Sequence, residues 1–161
     1  MNLAQPGQYL TFVLKGQSYG VAIGTVREIN QVLDITPVPQ TPSFVAGVMN
    51  LRGKVVPVVN LRLKFGMEDL AFTKQTCIIV VETDGGHVGM IVDRVSGVAD
   101  FKADQIEASP TLGEETKMSY IIGMGKIERQ VVVLVDIQKA LSKAELTRLE
   151  QIAAPPQKLA A

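Results

Sequence analysis

The sequence is poor in the residues from which many active sites and metal centres are built. Its 161 residues include one histidine, one cysteine and no tryptophan. A single histidine leaves little room for a histidine-rich metal site or a metalloprotease. The single cysteine, Cys77, has no partner for an intramolecular disulfide, which predicts a reduced thiol in a cytosolic setting. An enzyme is therefore the less favoured class, and no cofactor is expected.

Excess charge and long apolar runs are also lacking. The 16 basic and 16 acidic residues cancel, which removes the electrostatic argument for a nucleic-acid partner or an anionic membrane surface. The longest apolar runs, residues 77–81 and 131–135, are far shorter than the roughly 20 residues of a membrane span. The polar first six residues predict no signal peptide. We expect a cytoplasmic protein without direct membrane insertion.

What the sequence does contain is β-branched residues in short runs. It has 21 valines and 12 isoleucines against 14 leucines, an excess that favours strands. Glycine turns between such runs predict hairpins, for example at Arg52-Gly53. Pro57 lies inside the apolar run 55–59 and predicts an edge strand or a bulge there.

Three short helices are predicted from capping residues. Asn60 can cap a helix over 61–65, and Asp136 can cap one over 137–141. Ser142 and Glu145 have the spacing of a capping box at the start of a final helix, which prolines at 155–156 would end. Residues 153–161 are expected to form a flexible tail.

An internal repeat organises the chain. Residues 20–29 resemble 89–98 at an offset of 69, and residues 44–61 resemble 120–137 at an offset of 76. We interpret this as two copies of one all-β unit, 8–70 and 75–141, within a single domain over 8–152. Because a unit this small has a marginal core, the two copies should pack against each other. Functional residues are expected where the copies differ or meet.

Two charged residues and the single histidine are the candidate functional residues. Arg52 follows Asn50-Leu51 in the turn before an apolar strand, and its planar guanidinium could bind the Glu28 carboxylate in a bidentate way. The alternative is two unrelated surface charges, which spacing alone favours. A rival function from another class is a small ligand-binding barrel or enzyme that uses His87.

Three segments resemble the CheW family of chemotaxis coupling proteins. They are GVMNLRGKVVPVVNL at 47–61, GMIVDRVSGV at 89–98, and VLVDI at 133–137 followed by a predicted helix. The resemblance spans residues 8–152, and its most specific part is the Asn-Leu-Arg-Gly motif with the downstream Pro-Val. It implies two five-stranded SH3-like barrels packed side by side and a C-terminal helix.

The resemblance also implies a non-enzymatic adaptor. Its expected partners are the regulatory domain of the histidine kinase CheA and the cytoplasmic tips of methyl-accepting chemoreceptors, at membrane-associated arrays. A related role in a non-flagellar chemosensory pathway stays open. Carried over by position, the resemblance implies kinase- or array-binding residues and residues of a receptor-binding groove. The first set is Glu28, Asn50, Arg52 and Gly53, and the second is Val26, Gly47, Val95 and Val98.

Overall fold

Two β-sheets make up most of the computed structural model, which describes residues 4–32, 34–69, 71–107 and 120–153. The strands are β1 (Gly7–Leu14), β2 (Gln17–Ala22), β3 (Val26–Gln31), β4 (Val45–Leu51), β5 (Lys54–Asn60), β6 (Cys77–Thr83), β7 (Gly86–Val92), β8 (Arg94–Phe101), β9 (Ile106–Glu107), β10 (Ile121–Ile127) and β11 (Gln130–Val135). The α-helices are α1 (Leu61–Lys64), α2 (Ile137–Ala140) and α3 (Lys143–Ala153).

The strand order confirms the predicted fold class. Sheet A has the order β8-β1-β2-β11-β10-β9, and sheet B has the order β3-β6-β7-β5-β4. Sheet A has six strands rather than the expected five because the two-residue strand β9 pairs with β10. Hairpin partners run antiparallel, and each sheet contains one parallel pair, β2 with β11 and β5 with β7.

The sheets do not coincide with the two predicted units, 8–70 and 75–141. Sheet B is built from the continuous stretch 26–92, whereas sheet A combines 7–22 with 94–135. The first hairpin of each copy pairs with the third strand of the other copy, so that β1 lies beside β8 and β6 lies beside β3. Because both copies carry the same strand pattern, periodicity cannot distinguish pairing within a copy from pairing between copies.

The repeat is visible in the irregularities of the sheets. The shift in the β1–β8 ladder and the shift in the β3–β6 ladder fall at equivalent places, and so do the shifts in the β4–β5 and β10–β11 ladders. Bulges of this kind increase local twist and redirect side chains. The two halves therefore share backbone detail as well as strand order.

The helices begin where the capping residues predict. The cap hydrogen bonds are Leu63 N to Asn60 Oδ1 (3.3 Å), Gln138 N to Asp136 Oδ1 (3.0 Å), Glu145 N to Ser142 Oγ (3.0 Å) and Ser142 N to Glu145 Oε1 (2.8 Å). Each satisfies a backbone N–H at a helix start that has no partner within the helix. The predicted caps and capping box are confirmed.

One hydrophobic core joins the two sheets. Phe12 and Leu14 of sheet A, Ile79 and Met90 of sheet B, and Leu149 of α3 are buried in the same cluster. The sheets therefore pack side by side around shared apolar surface.

No helix within the described ranges is long and apolar enough to cross a membrane. The predicted tail lies outside the described residues from position 154 onward.

Candidate functional site

The turn between β4 and β5 is shaped by its backbone and by one side chain. Arg52 and Gly53 have positive φ angles of 52° and 87°, the left-handed conformation that two-residue hairpin turns require. The Asn50 side chain accepts a hydrogen bond from Gly53 N, with Oδ1 at 2.8 Å. Asn50 and Gly53 therefore define the turn that presents Arg52.

Arg52 reaches from this turn to Glu28 on β3. Nη1 of Arg52 donates to Oε1 of Glu28 at 3.2 Å, and Nη2 donates to Oε2. This geometry is the bidentate contact that the sequence left open, and it overturns the alternative of two unrelated charges that spacing alone favoured. Because β3 and β4 are the outer strands of sheet B, the ion pair connects the two edges of that sheet.

The pair is mainly an orienting contact. Its Arg52 side chain is 73% exposed and its Glu28 side chain 25% exposed, and exposed ion pairs contribute little to stability. Hydrogen bonding to Arg52 lowers the pKa of the Glu28 carboxyl below its ordinary value of 4.5. The same contact raises the pKa of the Arg52 guanidinium. Both groups are therefore charged at neutral pH and held in one arrangement at the surface.

A second ion pair on the same sheet was missed by the sequence analysis. Arg27 Nη2 on β3 donates to Glu82 Oε1 on β6, and the hydrogen bond from Arg27 lowers the pKa of Glu82. Two ion pairs therefore occupy neighbouring positions along β3. The pairing of β3 with β6 brings Arg27 and Glu82 together, and sequence spacing carries no signal for a contact between copies.

Two of the predicted groove residues lie where the sheets meet. Val26 on β3 and Val95 on β8 are equivalent in the repeat, and both are partly buried against the core cluster that joins the sheets. Val98, three residues further along β8, is 55% exposed. The structure thus gives Val26 and Val95 a position at the sheet junction and Val98 a position on the open face of β8.

Gly47, the fourth predicted groove residue, is buried. Its φ angle is 142°, and a Cβ atom there would lie 2.1 Å from the backbone oxygen of Thr36. Thr36 and the neighbouring Val48 exchange two backbone hydrogen bonds of 2.8 and 2.9 Å. Glycine is therefore required at this position for close backbone approach. Gly47 offers no side chain to a partner, and its assignment to the groove stays a prediction.

Exposed apolar side chains recur at equivalent positions of the repeat. In the part of the chain that the structure describes, the large exposed hydrophobic residues are Ile29, Val55, Phe72, Val98 and Val131. Ile29 corresponds to Val98 at the offset of 69, and Val55 corresponds to Val131 at the offset of 76. Each sheet therefore carries the same two exposed apolar positions, a pattern that sequence periodicity had not revealed.

His87 lies beside Val55, because both residues line the same cavity. It is on β7, opposite Glu82 of β6, and lines a cavity of about 280 Å³ together with Leu146 and Leu149 of α3. His87 thus borders the packing contact between sheet B and α3.

Within residues 4–32, 34–69, 71–107 and 120–153, no group of three or more His, Cys, Asp or Glu side chains has an arrangement that could hold a metal ion.

Comparison with known proteins identifies the family. The sequence model of the CheW-like domain matches residues 8–145. The chain belongs to the CheW-like family. It is 35% identical to chemotaxis protein CheW of Klebsiella aerogenes over 146 residues, which covers 91% of this chain and 88% of the relative. It is 27% identical to protein FrzA of Myxococcus xanthus over 144 residues, covering 88% and 89% of the two chains.

A solved structure confirms the family at the level of the fold. The scaffolding protein TtCheW of Thermoanaerobacter tengcongensis superposes with a TM-score of 0.78 at 31% identity, covering 86% of this chain and 94% of that chain. The CheW-like relatives are chemotaxis proteins and, in this structure, a scaffold. A CheW-like scaffold is thus the coarse functional class of this chain.

Proposed function

We propose that this chain is a non-enzymatic adaptor that couples chemoreceptors to the histidine kinase CheA. It would work in the cytoplasm and be recruited to membrane-associated receptor arrays. Membership of the CheW-like family supports this role, as does the similarity to chemotaxis proteins along most of the chain. An adaptor needs two separate binding surfaces on one stable body.

The observation that carries the proposal is the repeated pair of exposed apolar side chains. Ile29 and Val55 belong to sheet B, and Val98 and Val131 belong to sheet A. Single exposed apolar side chains are ordinary on a protein surface, so the support comes from their recurrence at equivalent positions of both sheets. Because the sheets share a core, the two surfaces are held in a fixed relation to each other.

We assign the kinase to sheet B. Arg52 and Glu28 would contribute an oriented charged rim, and the exposed Ile29, which points to the other face of β3, would contribute apolar contact area at the same edge of sheet B. Asn50 and Gly53 would act through the turn, since they set the position of Arg52. This surface suits the regulatory domain of CheA, whose CheW-like character the family resemblance implies.

We assign the receptor to the sheet junction and the open face of β8. Val26 and Val95 would line the floor of the groove and Val98 its exposed wall, with Gly47 placed in this set by the resemblance. An apolar groove with polar surroundings suits the amphipathic face of a helix in a receptor tip. Receptor and kinase would then occupy different faces, so that a receptor movement changes the position of the kinase.

Calorimetric binding with two separate fragments tests the function. The full chain is titrated with the CheA regulatory domain, with a receptor tip fragment, and with each fragment after saturation by the other. We expect both fragments to bind, and the second to bind while the first is present. Absence of binding to either fragment, or mutual exclusion, would contradict the adaptor proposal.

A further inference from the structure

The chain crosses between the sheets at two equivalent places that differ chemically. Among the described elements, β2 leads to β3 through the turn at residues 23–25, and β7 leads to β8 through Asp93. The repeat offset of 69 places Gly24 opposite Asp93. The second crossing therefore has a carboxylate where the first has a glycine.

The carboxylate at the second crossing is held from both sheets. Arg62 on α1, which follows sheet B, donates from Nε to Oδ1 of Asp93 at 2.6 Å and from Nη2 to Oδ2. The backbone N–H of Lys15, in the β1–β2 turn of sheet A, donates to the same Oδ2 at 2.9 Å. In addition, Asp93 N donates to Val13 O of β1 at 3.1 Å. Asp93 thus ties sheet A, sheet B and the link between them.

The ion pair between Arg62 and Asp93 is largely buried. The side chains of Arg62 and Asp93 are 7% and 27% exposed. Burial raises the pKa of Asp93, but hydrogen bonds from Arg62 and from the Lys15 backbone outweigh it and leave the pKa below its ordinary value. Both groups are therefore charged at neutral pH. Removing Asp93 would leave the buried Arg62 guanidinium with weaker acceptors, among them the backbone oxygen of Glu68 at 3.2 Å, and would lower stability.

The repeat places an equivalent contact between Gln138 and Asp84. This contact is exposed, and one of its partners, Gln138, is uncharged. Gln138 on α2 stands where Arg62 stands on α1, at the offset of 76. Gln138 accepts from Asp84 N at 2.6 Å and donates to Asp84 Oδ2 at 2.7 Å, in the β6–β7 turn. It holds a hairpin of the opposite sheet directly, without a carboxylate at the crossing. Exposed contacts of this type are weaker constraints than buried ion pairs.

We propose that Arg62 and Asp93 are positioning residues that set the angle between the two sheets. This positioning role does not depend on the proposed function. Its consequence does, namely that the angle shapes the receptor groove where Val26 and Val95 meet. The kinase surface lies on sheet B alone and is independent of the angle. Gln138 and Asp84 are the weaker counterpart of the same device.

A change in the angle between the sheets can be detected, without any binding partner, as a change in the distance between one label on each sheet. Spin labels are attached at Lys54→Cys on sheet B and Gln130→Cys on sheet A, two equivalent exposed positions, in a Cys77→Ser background. We expect a single narrow distance by pulsed electron paramagnetic resonance in this protein. Asp93→Asn should broaden or shift the distance, and Asp84→Asn, the matched substitution at the weaker counterpart, should change it less. An unchanged distance in folded Asp93→Asn protein would overturn the proposal.

A second variant separates positioning from stability. Asp93→Asn can fail to fold because it leaves Arg62 charged and buried. The double substitution Arg62→Met/Asp93→Leu removes both charges, and apolar replacement of a buried ion pair often preserves stability. We therefore expect this variant to unfold cooperatively. Because it also removes the acceptor for Lys15 N, we expect the distance between the two spin labels to be broader than in the parent protein. A narrow distance identical to that of the parent protein would refute the positioning role.

Binding then tests the consequence. In the double variant, affinity for the receptor fragment should fall about fivefold, a typical size for coupling within one protein, while affinity for the CheA regulatory domain should not change. Equal losses for both fragments would contradict a selective effect on the groove. If the parent protein binds neither fragment, the adaptor function fails, and the distance measurement still decides the role of Arg62 and Asp93.

Discussion

The β4–β5 and β10–β11 hairpins have one backbone plan and different surface chemistry. Arg52 at the tip of the first is replaced by Glu128 in the second, and Glu28, its partner, is replaced by Gly97. Both tip residues have positive φ, 52° and 53°. The repeat therefore conserves the turn geometry and not the charges. Only the first hairpin therefore carries an oriented ion pair at its tip, and the proposed kinase surface includes that pair for this reason.

The largest expected effect concerns the backbone contact beneath the first hairpin. Gly47→Ala places a Cβ against Thr36 O, where 2.1 Å is too close for any rotamer to relieve. We expect the free energy of unfolding to fall by about 2–4 kcal/mol, measured by urea denaturation. The control Gly24→Ala meets nothing within 4 Å and should change it by less than about 1 kcal/mol. Equal losses would contradict the close-approach argument.

The second effect compares the charges of the two hairpins. Arg52→Glu places two carboxylates side by side at the edge of sheet B. Affinity for the CheA regulatory domain should fall about tenfold or more in calorimetry. Arg129→Glu reverses a charge in the β10–β11 turn and serves as the matched control, with an expected change below about twofold. Unchanged affinity in Arg52→Glu would remove Arg52 from the kinase surface.

The third effect compares equivalent apolar positions on the two sheets. Val98→Asp should reduce affinity for the receptor fragment about fivefold and leave kinase-domain binding intact. Ile29→Asp should do the reverse, because it lies on sheet B beside Glu28. Both side chains are exposed, at 55% and 44%, so thermal unfolding should hardly change. If both variants lose the same partner, the division of surfaces between the sheets is wrong.

The smallest effect is the titration of Glu28 itself. The contact with Arg52 lowers its pKa, so the stabilisation that it contributes is present above 4.5, the ordinary value, and is lost as the pH falls through the pKa of the folded state. Carbon-detected NMR titration should give a midpoint below 4.5. Arg52→Gln should raise the midpoint and Arg129→Gln should not. A midpoint unaffected by Arg52→Gln would show that the ion pair is absent in solution.

Local rules predicted the local parts of the molecule. Asn60, Asp136 and the Ser142–Glu145 pair begin helices because a short polar side chain satisfies free backbone N–H groups, whatever the rest of the fold does. The Arg52–Glu28 contact was one of two alternatives, and spacing alone favoured the other, two unrelated surface charges. The family resemblance singled out both residues, and the structure shows that they are in contact.

Contacts between the copies were beyond the sequence pattern. Arg27 with Glu82 and Arg62 with Asp93 meet because each copy contributes strands or links to both sheets. Pro57 shows a related limit. It was expected at an edge position or a bulge, and although β5 lies between β7 and β4, Pro57 itself pairs only with Val48 of β4. Proline is tolerated there because pairing with β7 begins only at Val58.

The continuity of sheet B has a consequence for synthesis of the chain. All strands of sheet B have been made once Val92 has left the ribosome, whereas sheet A still lacks β8 to β11. Domains generally fold as units and the two sheets share a core, so β1 and β2 have no partners beyond each other until β8 and β11 have been made. Phe12 and Leu14, which end up fully buried, stay exposed for that interval. The first strands to be made are thus among the last to be completed, and protection of that hairpin by chaperones would matter most before β11 emerges.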